Sequence, residues 1–270
     1  IAPGTYNELL TLPDNIILYG PHDVTISQET VPHINTLTTG NNTKLINLTI
    51  SGGNNSVLIP YNTSVTFLNT IISHANDFGV KMEKKKRAQT PSGKKATVTY
   101  EIFDKTNDEI ADMPLVRFSN VTITKNDDQG MYLRDGRVEI INSKVIENGE
   151  EGIDLHPHMH TTIKNTVASN NGESGLETEI YDNVVTIENS TFTDNIKNGV
   201  AFLTSMGIGD ITLTNNIITN NAKFGMRCAV HKNRPKKPRP FFQSVISWKD
   251  GNNTFENNFK RNIASECYTF

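Results

Sequence analysis

The chain is built from copies of one short unit whose internal distances are nearly constant. An Asn with apolar neighbours recurs in segments such as LINLTI, FSNVTI and IENSTF. The aligned residues are Asn47, Asn69, Asn120, Asn142, Asn165, Asn189 and Asn215. From Asn69 onward a Gly follows each of them after ten residues, namely Gly79, Gly130, Gly152, Gly175, Gly199 and Gly225. Such a period is typical of a solenoid, because no single unit could bury its apolar face alone.

The length of the unit favours a β-solenoid. Where nothing is inserted, successive aligned Asn residues are 22 to 26 residues apart, which fits one coil of three short strands and three turns. A leucine-rich repeat has a similar period, but its leucine consensus and helical return segment are absent. We therefore predict an all-β, right-handed parallel β-helix, a pectate-lyase-like solenoid, that forms a single domain over residues 1–270.

Asn and Gly have definite places in this unit. The aligned Asn side chains can hydrogen-bond from coil to coil and so form an Asn ladder. Six residues later, five consecutive copies carry a second Asn: Asn126, Asn148, Asn171, Asn195 and Asn221. The last copy has Asn252 and then Asn262 where the others have Gly. Because Asn tolerates the left-handed conformation, we expect Asn262 to adopt the one that Gly supplies elsewhere.

Two basic insertions interrupt the repeat, at about residues 83–114 and 230–246. Two short runs within them, EKKKRAQTPSGKK and HKNRPKKPRP, hold eleven of the 26 Lys and Arg of a chain whose net charge is −3. Their cations include Lys84, Lys85, Lys86 and Arg87 in the first and Lys232, Arg234, Lys236 and Lys237 in the second. Both insertions can leave just after the strand that follows the Gly. We expect these basic loops to bracket that strand and to attract an anionic linear polymer.

The strand after each Gly has an inward and an outward face. Its first and third residues are apolar, as in Val80/Met82 and Ile153/Leu155, so its second and fourth residues face solvent. The second positions are Lys81, Tyr132, Asp154, Glu177, Ala201 and Arg227. The fourth positions are Glu83, Arg134, His156, Glu179, Leu203 and Ala229.

These outward residues predict one compact polar patch. Adjacent coils lie about 4.8 Å apart and residues i and i+2 about 6.5 Å apart. The patch comprises Asp154, His156, Glu177 and Glu179, with Tyr132 and Arg134 one coil below. Stacked carboxylates should raise each other's pKa, and the imidazole should oppose this. Such coupled groups suit acid-base catalysis, although a merely solvated face of a β-helix would have the same sequence pattern.

The stretch GIDLH in this patch resembles the Gly-X-Asp-Pro-His strand of the mannuronan epimerases. These are β-helix enzymes that invert carbon 5 of uronate units within alginate. The similarity extends from about Val138 to Met226. It implies that the Asp and His of the strand are catalytic, that an acidic residue of the next coil assists, and that a basic residue of the following turn binds substrate. The matching residues here are Asp154, His156, Glu179 and Lys197.

Three positions differ from the pattern of that family. Leu155 replaces the Pro, Glu179 stands where an Asp is usual, and Glu151 replaces the Tyr just before the Gly. Tyr132 could supply a phenol from the coil below. Arg134, Glu177, His158 and Arg227 complete the predicted substrate contacts, with His158 and His160 expected where the strand turns away.

We derive three functional hypotheses from these residues. The first is an enzyme that abstracts the carbon 5 proton of a uronate-containing polysaccharide, with His156 as base or acid and Arg134 or Lys197 neutralising the carboxylate. Reprotonation would make it an epimerase, and expulsion of the 4-linked sugar a lyase. The second is an inverting glycoside hydrolase that uses two of Asp154, Glu177 and Glu179. The third is a non-catalytic adhesin or polysaccharide-binding module.

The remaining expectations concern location, partners and metals. No run of 18 apolar residues would span a membrane, and the missing initiator Met suggests a trimmed form of a secreted or cell-surface protein. We expect a monomer that binds an anionic polysaccharide and not nucleic acid, because the strands offer few aromatic stacking residues. Cys228 and Cys267 are expected to be ordinary buried thiols. No metal ligand is assigned; the epimerase resemblance suggests calcium in a structural role.

Overall fold

The computed structural model describes residues 1–21, 23–28, 33–83, 112–204, 209–230 and 245–269. Within these ranges the chain forms 29 strands and one short 3₁₀ helix, Ser265–Thr269. The strands build three parallel sheets, which confirms the predicted β-helix. The cations predicted to form the two basic loops, Lys84–Arg87 and Lys232–Lys237, lie outside the described residues.

Each full coil contributes one strand to each sheet. Sheet 1 contains β1 (Gly4–Asn7), β4 (Val24–Gln28), β7 (Thr49–Gly52), β10 (Ile71–Ser73), β13 (Thr122–Thr124), β16 (Lys144–Ile146), β19 (Val167–Ser169), β22 (Thr191–Thr193), β25 (Ile217–Thr219) and β28 (Thr254–Glu256). Sheet 2 contains β2 (Leu10–Thr11), β5 (Leu37–Thr38), β8 (Val57–Ile59), β11 (Val80–Met82), β14 (Met131–Leu133), β17 (Ile153–Leu155), β20 (Leu176–Ile180), β23 (Val200–Thr204), β26 (Phe224–Val230) and β29 (Arg261–Ile263). Sheet 3 contains β3 (Ile17–Tyr19), β6 (Thr43–Ile46), β9 (Val65–Leu68), β12 (Leu115–Ser119), β15 (Gly136–Ile141), β18 (Met159–Lys164), β21 (Asn183–Glu188), β24 (Gly209–Thr214) and β27 (Val245–Ser247).

The core is a stack of apolar side chains along the solenoid. The residues predicted to point inward after each Gly are buried, among them Val80, Ile153 and Leu155. Phe67 and Phe118 of neighbouring coils stack with ring centroids 4.8 Å apart and planes 4° apart. Burying one such side chain contributes about 1.5–3 kcal/mol. Because these contacts repeat from coil to coil, the packed core fixes the positions of the sheet 2 strands.

Two different Asn columns run along the solenoid. The buried ladder is the second set, in which Nδ2 of Asn148 donates to Oδ1 of Asn171 at 3.0 Å, and Nδ2 of Asn171 to Oδ1 of Asn195 at 3.0 Å. The aligned first set is exposed and has positive φ, as at Asn165 with φ 50°. It also makes coil-to-coil bonds, with Asn165 donating to Asn142 at 3.1 Å. The predicted ladder is therefore present, and its buried part lies six residues further on.

The Gly column is required for space and not for a left-handed backbone. Gly152 is not among the described residues with positive φ. A Cβ atom on Gly152 would lie 2.7 Å from Nδ2 of Asn171 and 2.8 Å from the carbonyl oxygen of Gly175. Asn262 also lacks positive φ, whereas Asn252 has φ 53°. The prediction for Asn262 was wrong because the Asn that opens each unit adopts the left-handed conformation, and the Gly position does not.

The two cysteines form a disulfide, with their Cα atoms 5.0 Å apart. The expectation of two free thiols was wrong. Cys228 points inward from β26, and the C-terminal 3₁₀ helix brings Cys267 over the same strand. The sequence did not predict this proximity, because the two cysteines are 39 residues apart. They meet only because the 3₁₀ helix covers the last coil.

Candidate functional site

The predicted polar patch forms on the outer face of sheet 2. Tyr132 of β14 pairs in register with Asp154 of β17, and Asp154 pairs with Glu177 of β20. Glu177 pairs in turn with Ala201, and Ala201 with Arg227. The second-position column is thus in the predicted order. His156 lies just beyond β17, where its backbone N–H donates to the carbonyl of Leu133 at 2.8 Å.

His156 is the centre of the patch. Its Nε2 lies 3.0 Å from Oδ2 of Asp154, within hydrogen-bond distance. Its Nδ1 lies 3.9 Å from Oε2 of Glu179, too far for a hydrogen bond. The side chains of His156 and Asp154 are 23% and 14% exposed. The imidazole is therefore held at one nitrogen and open at the other.

A phenol lies against this imidazole. The rings of Tyr132 and His156 have centroids 4.4 Å apart and planes tilted by 51°. Arg134 donates from a terminal guanidinium nitrogen to the hydroxyl of Tyr132 at 2.5 Å, and its Cζ lies 4.7 Å from the ring centroid. The buried Nε of Arg134 has no hydrogen-bond partner among the described residues. Burial raises the pKa of Tyr132, and Arg134 opposes this, so the phenol is protonated at neutral pH.

Glu177 is the partly protonated carboxyl of the patch. Burial is the largest cause that raises its pKa to about 7, and the charge of Asp154 adds to it, while Lys197 and Arg227 oppose it. The prediction that stacked carboxylates raise the pKa is confirmed for Glu177, with burial as the larger contribution. Glu177 therefore carries about half a negative charge at neutral pH.

Glu151 is a second carboxyl with a raised pKa, directly before β17. Burial raises its pKa to about 9, followed by a hydrogen bond to Glu173 and the charge of Glu177. Glu151 is 6% exposed and accepts a 3.2 Å hydrogen bond from Nε2 of Gln129. At neutral pH it is a neutral acid that donates to Glu173. In turn, that hydrogen bond is the first cause that lowers the pKa of Glu173.

The other predicted residues lie further from His156. Lys197 forms an ion pair with Glu173 in the turn before β23. Burial would lower the pKa of Lys197, but the hydrogen bond and charge of Glu173 and the charge of Glu151 raise it. Arg227 lies two coils beyond Glu177 on the outer face.

Of the two outer histidines, His158 lies where the strand turns away, as predicted, whereas His160 already belongs to the next strand. His158 is in the turn after β17 with φ 65°, and its Nδ1 lies 3.6 Å from Oδ2 of Asp182. Its ring meets that of Tyr181 edge-on at 5.1 Å. His160 is in β18 of sheet 3 and pairs in register with Arg137. These side chains stand at the border of the patch.

The turn that precedes sheet 2 carries a column of charges that we did not predict. It lies two residues before the Gly, where each backbone N–H donates to the carbonyl of the preceding coil at 2.7–3.1 Å. This turn column consists of Asp77, Asp128, Glu150, Glu173, Lys197, Lys223 and Lys260. Reading the two-before-Gly position in every copy would have found it, as the strand positions were found.

The described residues offer no evident metal site. Groups of three or more His, Cys, Asp or Glu arranged to hold an ion do not occur within them. The calcium suggested by the epimerase resemblance stays a prediction, and no chemistry below is assigned to a metal. Likewise, no described helix is long and apolar enough to cross a membrane.

Both basic insertions leave from the carboxyl end of a sheet 2 strand, as predicted. The described chain stops one residue after β11, at Glu83, and resumes at Asp112, before β12 of sheet 3. It stops again at the end of β26, Val230, and resumes at Val245, the start of β27. β11 and β26 flank the strands that carry Tyr132, Asp154 and Glu177.

Comparisons with known proteins agree with this architecture. The family described as "Right handed beta helix region" matches residues 32–200 and 102–265. No curated protein sequence matches the chain. The A-module of mannuronan C-5 epimerase AlgE6 from Azotobacter vinelandii has a similar structure, with a TM-score of 0.63 and 16% identity, covering 96% of this chain and 67% of that chain.

Two further solved structures have similar coils. The A-module of mannuronan C-5 epimerase AlgE4 from Azotobacter vinelandii has a TM-score of 0.53 at 13% identity, covering 97% of this chain and 87% of that one. Pectate lyase Pel9A has a TM-score of 0.45 at 15% identity, covering 97% of this chain and 67% of that one. The two epimerase modules share the fold of this chain. Since the family matches span most of the sequence, the chain belongs to the right-handed β-helix family.

Proposed function

We propose that this chain is an enzyme that removes the carbon 5 proton of a sugar in a uronate-containing polysaccharide. The observation that carries the proposal is the arrangement at His156. Its Nε2 is bound to Asp154 at 3.0 Å, its other nitrogen is open, and its ring lies against Tyr132. A base and an acid of different chemistry thus stand side by side on a rigid sheet.

His156 serves as the base. If Nε2–H donates to Asp154, the lone pair is on Nδ1, the nitrogen beyond hydrogen-bond distance of Glu179. Asp154 then fixes this tautomer and stabilises the imidazolium that forms when Nδ1 takes the proton. Glu179, near the same nitrogen, stabilises the same positive charge.

Tyr132 serves as the acid. Its phenol is protonated at neutral pH because burial raises its pKa. The electron pair left at carbon 5 is delocalised into the sugar carboxylate. Transfer of the phenol proton to the opposite face of carbon 5 would complete an epimerisation. Departure of the 4-linked oxygen, with that proton, would complete an elimination.

Arg134 neutralises the substrate carboxylate. Its guanidinium has five N–H donors, and the described residues use one of them, for the Tyr132 hydroxyl. A cation at the carboxylate makes the neighbouring carbon 5 proton more acidic, because negative charge develops on that carboxylate during the reaction. Lys197 is less suited to this role, since Glu173 already pairs with it.

Product analysis tests the proposal. The purified chain is incubated with alginate, pectate and other uronate polymers, and we expect either ultraviolet absorbance from unsaturated ends or proton NMR signals of inverted units. A His156→Ala variant should form neither product. Binding without product from any uronate polymer would reject the enzyme and leave a non-catalytic polysaccharide-binding module.

A glycoside hydrolase is the second candidate, because burial raises the pKa of one carboxyl of the patch. Asp154 and Glu177 pair in register, and the pKa of Glu177 is raised to about 7. A protonated Glu177 could donate to a glycosidic oxygen while a second carboxylate activates water. Inversion needs about 6.5–9.5 Å between the carboxyls, which the diagonal pair Asp154 and Glu179 suits better than a stacked pair. Release of reducing ends without ultraviolet absorbance would favour this reaction.

We also propose a secreted or cell-surface location for the chain, acting as a monomer. The Cys228–Cys267 disulfide supports this location, because disulfides form and persist mainly in oxidising compartments. Free-thiol titration of protein isolated from its native source tests it. Two reactive thiols per chain would contradict the proposal.

A further inference from the structure

The turn column changes sign once along the solenoid. Its acidic half comprises Asp77, Asp128, Glu150 and Glu173, and its basic half comprises Lys197, Lys223 and Lys260. The change occurs between adjacent coils, where Lys197 pairs with Glu173. The column therefore has one acidic end and one basic end.

Part of the basic half has no carboxylate at ion-pair distance among the described residues, whereas Lys197 pairs with Glu173. Within the described ranges, no carboxylate lies at ion-pair distance from Lys223, Lys260 or Arg227. Lys260 is exposed, and its Nζ lies 5.6 Å from the centroid of the Phe224 ring. Unpaired cations on neighbouring coils are suited to an anionic ligand that extends along the solenoid.

The acidic half consists of carboxyl groups that lie close to one another. Burial and a hydrogen bond with Asp128 raise the pKa of Asp77. Burial, then the charges of Asp128 and Glu173, raise the pKa of Glu150. These carboxyls already repel one another, so a further anion over this half would be unfavourable.

The turn column and the points where the described chain stops before the two insertions lie at opposite ends of the sheet 2 strands. The column precedes the amino ends of the sheet 2 strands, as Asp77 precedes β11. The loops leave from the carboxyl ends, after β11 and β26.

The distance between successive coils is suited to a polysaccharide. Coils rise by about 4.8 Å, close to the length of one sugar in an extended chain. A polysaccharide that runs along sheet 2 would therefore meet one turn-column residue per sugar, and the sign of each residue would select the charge of the sugar beside it.

We propose that a groove along the outer face of sheet 2 binds a linear polysaccharide in one direction, with uronates over the basic half and uncharged sugars beside Asp77 and Asp128, at the far end of the acidic half. This inference rests on the proposed uronate substrate and narrows it to a polymer that mixes uronates with uncharged sugars. The reacting uronate lies over His156, in the coil of Glu150, where Arg134 of the neighbouring coil and not the turn column neutralises its carboxylate. A uniform polyuronate would bind less well than a mixed polymer.

Charge-removing variants in the two halves should have opposite effects. The probe is a purified polymannuronate oligomer long enough to cover both halves, and affinity is measured by calorimetry at low salt. Lys223→Gln and Lys260→Gln should each weaken binding about two- to five-fold, as exposed charge pairs do. Asp128→Asn and Glu150→Gln should each strengthen it by a similar factor.

Matched controls separate this effect from a change in total charge. Lys144→Gln and Glu256→Gln make the same charge changes at exposed positions of sheet 1, away from the groove, and should leave affinity unchanged. If the acidic variants weaken binding or leave it unchanged, the proposal is wrong.

A second comparison tests the substrate class. Wild type should bind an unsulfated block oligomer, in which a run of uronates is joined to a run of N-acetylhexosamines, more tightly than polymannuronate of equal length. Asp128→Asn combined with Glu150→Gln should reduce this preference. Equal binding of the two polymers by wild type would overturn the inference. Because binding needs no turnover, these results stand apart from the product analysis that tests the reaction.

Discussion

Nε2 of His156 lies 3.0 Å from Oδ2 of Asp154, although the two residues follow one another at i and i+2 on the same outer face. The contact forms because alternate residues of a strand point the same way. It leaves Nδ1 as the nitrogen beyond hydrogen-bond distance of Glu179. The protonation of this one pair decides whether the patch can act as a base.

We expect Asp154→Asn to lower kcat about 10²- to 10⁴-fold, the usual contribution of a positioned acid or base. The amide cannot stabilise the imidazolium, and it no longer fixes the tautomer. KM should change little, because the fold of sheet 2 is retained. Steady-state kinetics on the polymer that gives product would check this. Glu188→Gln on sheet 3 is the control for a lost carboxylate; an Asp154→Asn variant with wild-type kcat would contradict the role.

The pKa of Glu177, about 7, predicts how polymer binding varies with pH. As the pH rises through 7, Glu177 becomes negative beside Asp154, so affinity for a uronate polymer should fall several-fold. In Glu177→Gln this fall should disappear, and the variant should bind at high pH as wild type does at low pH. Calorimetric titrations on both sides of neutrality measure it. The same fall in both proteins would assign the pH dependence to another group.

Much of this site could be predicted from the sequence because the repeat supplies the register. Once the Gly residues were aligned, period-2 alternation placed Tyr132, Asp154 and Glu177 in one column, and the structure has them in that order. The turn column was missed because the strand alternation does not extend into the turns; only the fixed distance of two residues before each Gly marks it.

Other features depend on distances that a sequence does not contain. The burial of Glu151 follows from how closely Gln129 and Glu173 surround it. The disulfide of Cys228 depends on how the chain ends, outside the repeat. The contact of Tyr132 with His156 is between coils and needs side-chain rotamers as well as register.

Glu151 should make the protein less stable as the pH rises. Its pKa is raised from 4.5 to about 9 in the folded state, so the folded protein keeps a proton that the unfolded chain has lost. The contribution to stability is complete below about pH 4.5 and is lost as the pH rises towards 9. In the Glu151→Gln variant, the side-chain amide still donates a hydrogen bond to Glu173 but does not ionise.

Thermal unfolding at acidic and alkaline pH measures this effect. Near pH 4.5 the variant and wild type should have the same free energy of unfolding. Towards pH 9 the free energy of unfolding of the variant should be higher by about 1–3 kcal/mol. Glu256→Gln, at an exposed position, controls for the change in net charge. A wild type whose stability rises over this interval relative to Glu151→Gln would show that Glu151 is ionised in the folded state.

The disulfide should stabilise the C-terminal coils. It closes a loop of 39 residues, for which loss of chain entropy in the unfolded state predicts about 4 kcal/mol. Cys267→Ser should therefore unfold at lower temperature, beginning at the coil of β26, because a solenoid can lose terminal coils first. Reductant should lower the unfolding temperature of wild type to that of the variant and should leave the unfolding temperature of the variant unchanged. Equal sensitivity of both to reductant would contradict the pairing.

The two Asn columns should respond differently to the loss of the side chain. Asn171 is fully buried; its Nδ2 donates to Asn195 at 3.0 Å, and its Oδ1 accepts from Nδ2 of Asn148 at 3.0 Å. Asn165 is exposed, with φ 50° and one bond to Asn142. Asn171 therefore satisfies buried groups, whereas Asn165 mainly supplies a backbone conformation.

Substitution by Ala and by Gly separates these two roles. Asn171→Ala should lower the free energy of unfolding by at least about 3 kcal/mol, because several buried partners lose their hydrogen bonds. Asn171→Gly should lower it at least as much. Asn165→Ala should cost about 1–2 kcal/mol, the strain of a left-handed Ala. Asn165→Gly should recover most of that loss, because Gly adopts positive φ without strain. Urea unfolding of the four variants gives the comparison. If Asn165→Gly were as destabilising as Asn171→Gly, the exposed column would have to hold the coils together as the buried one does.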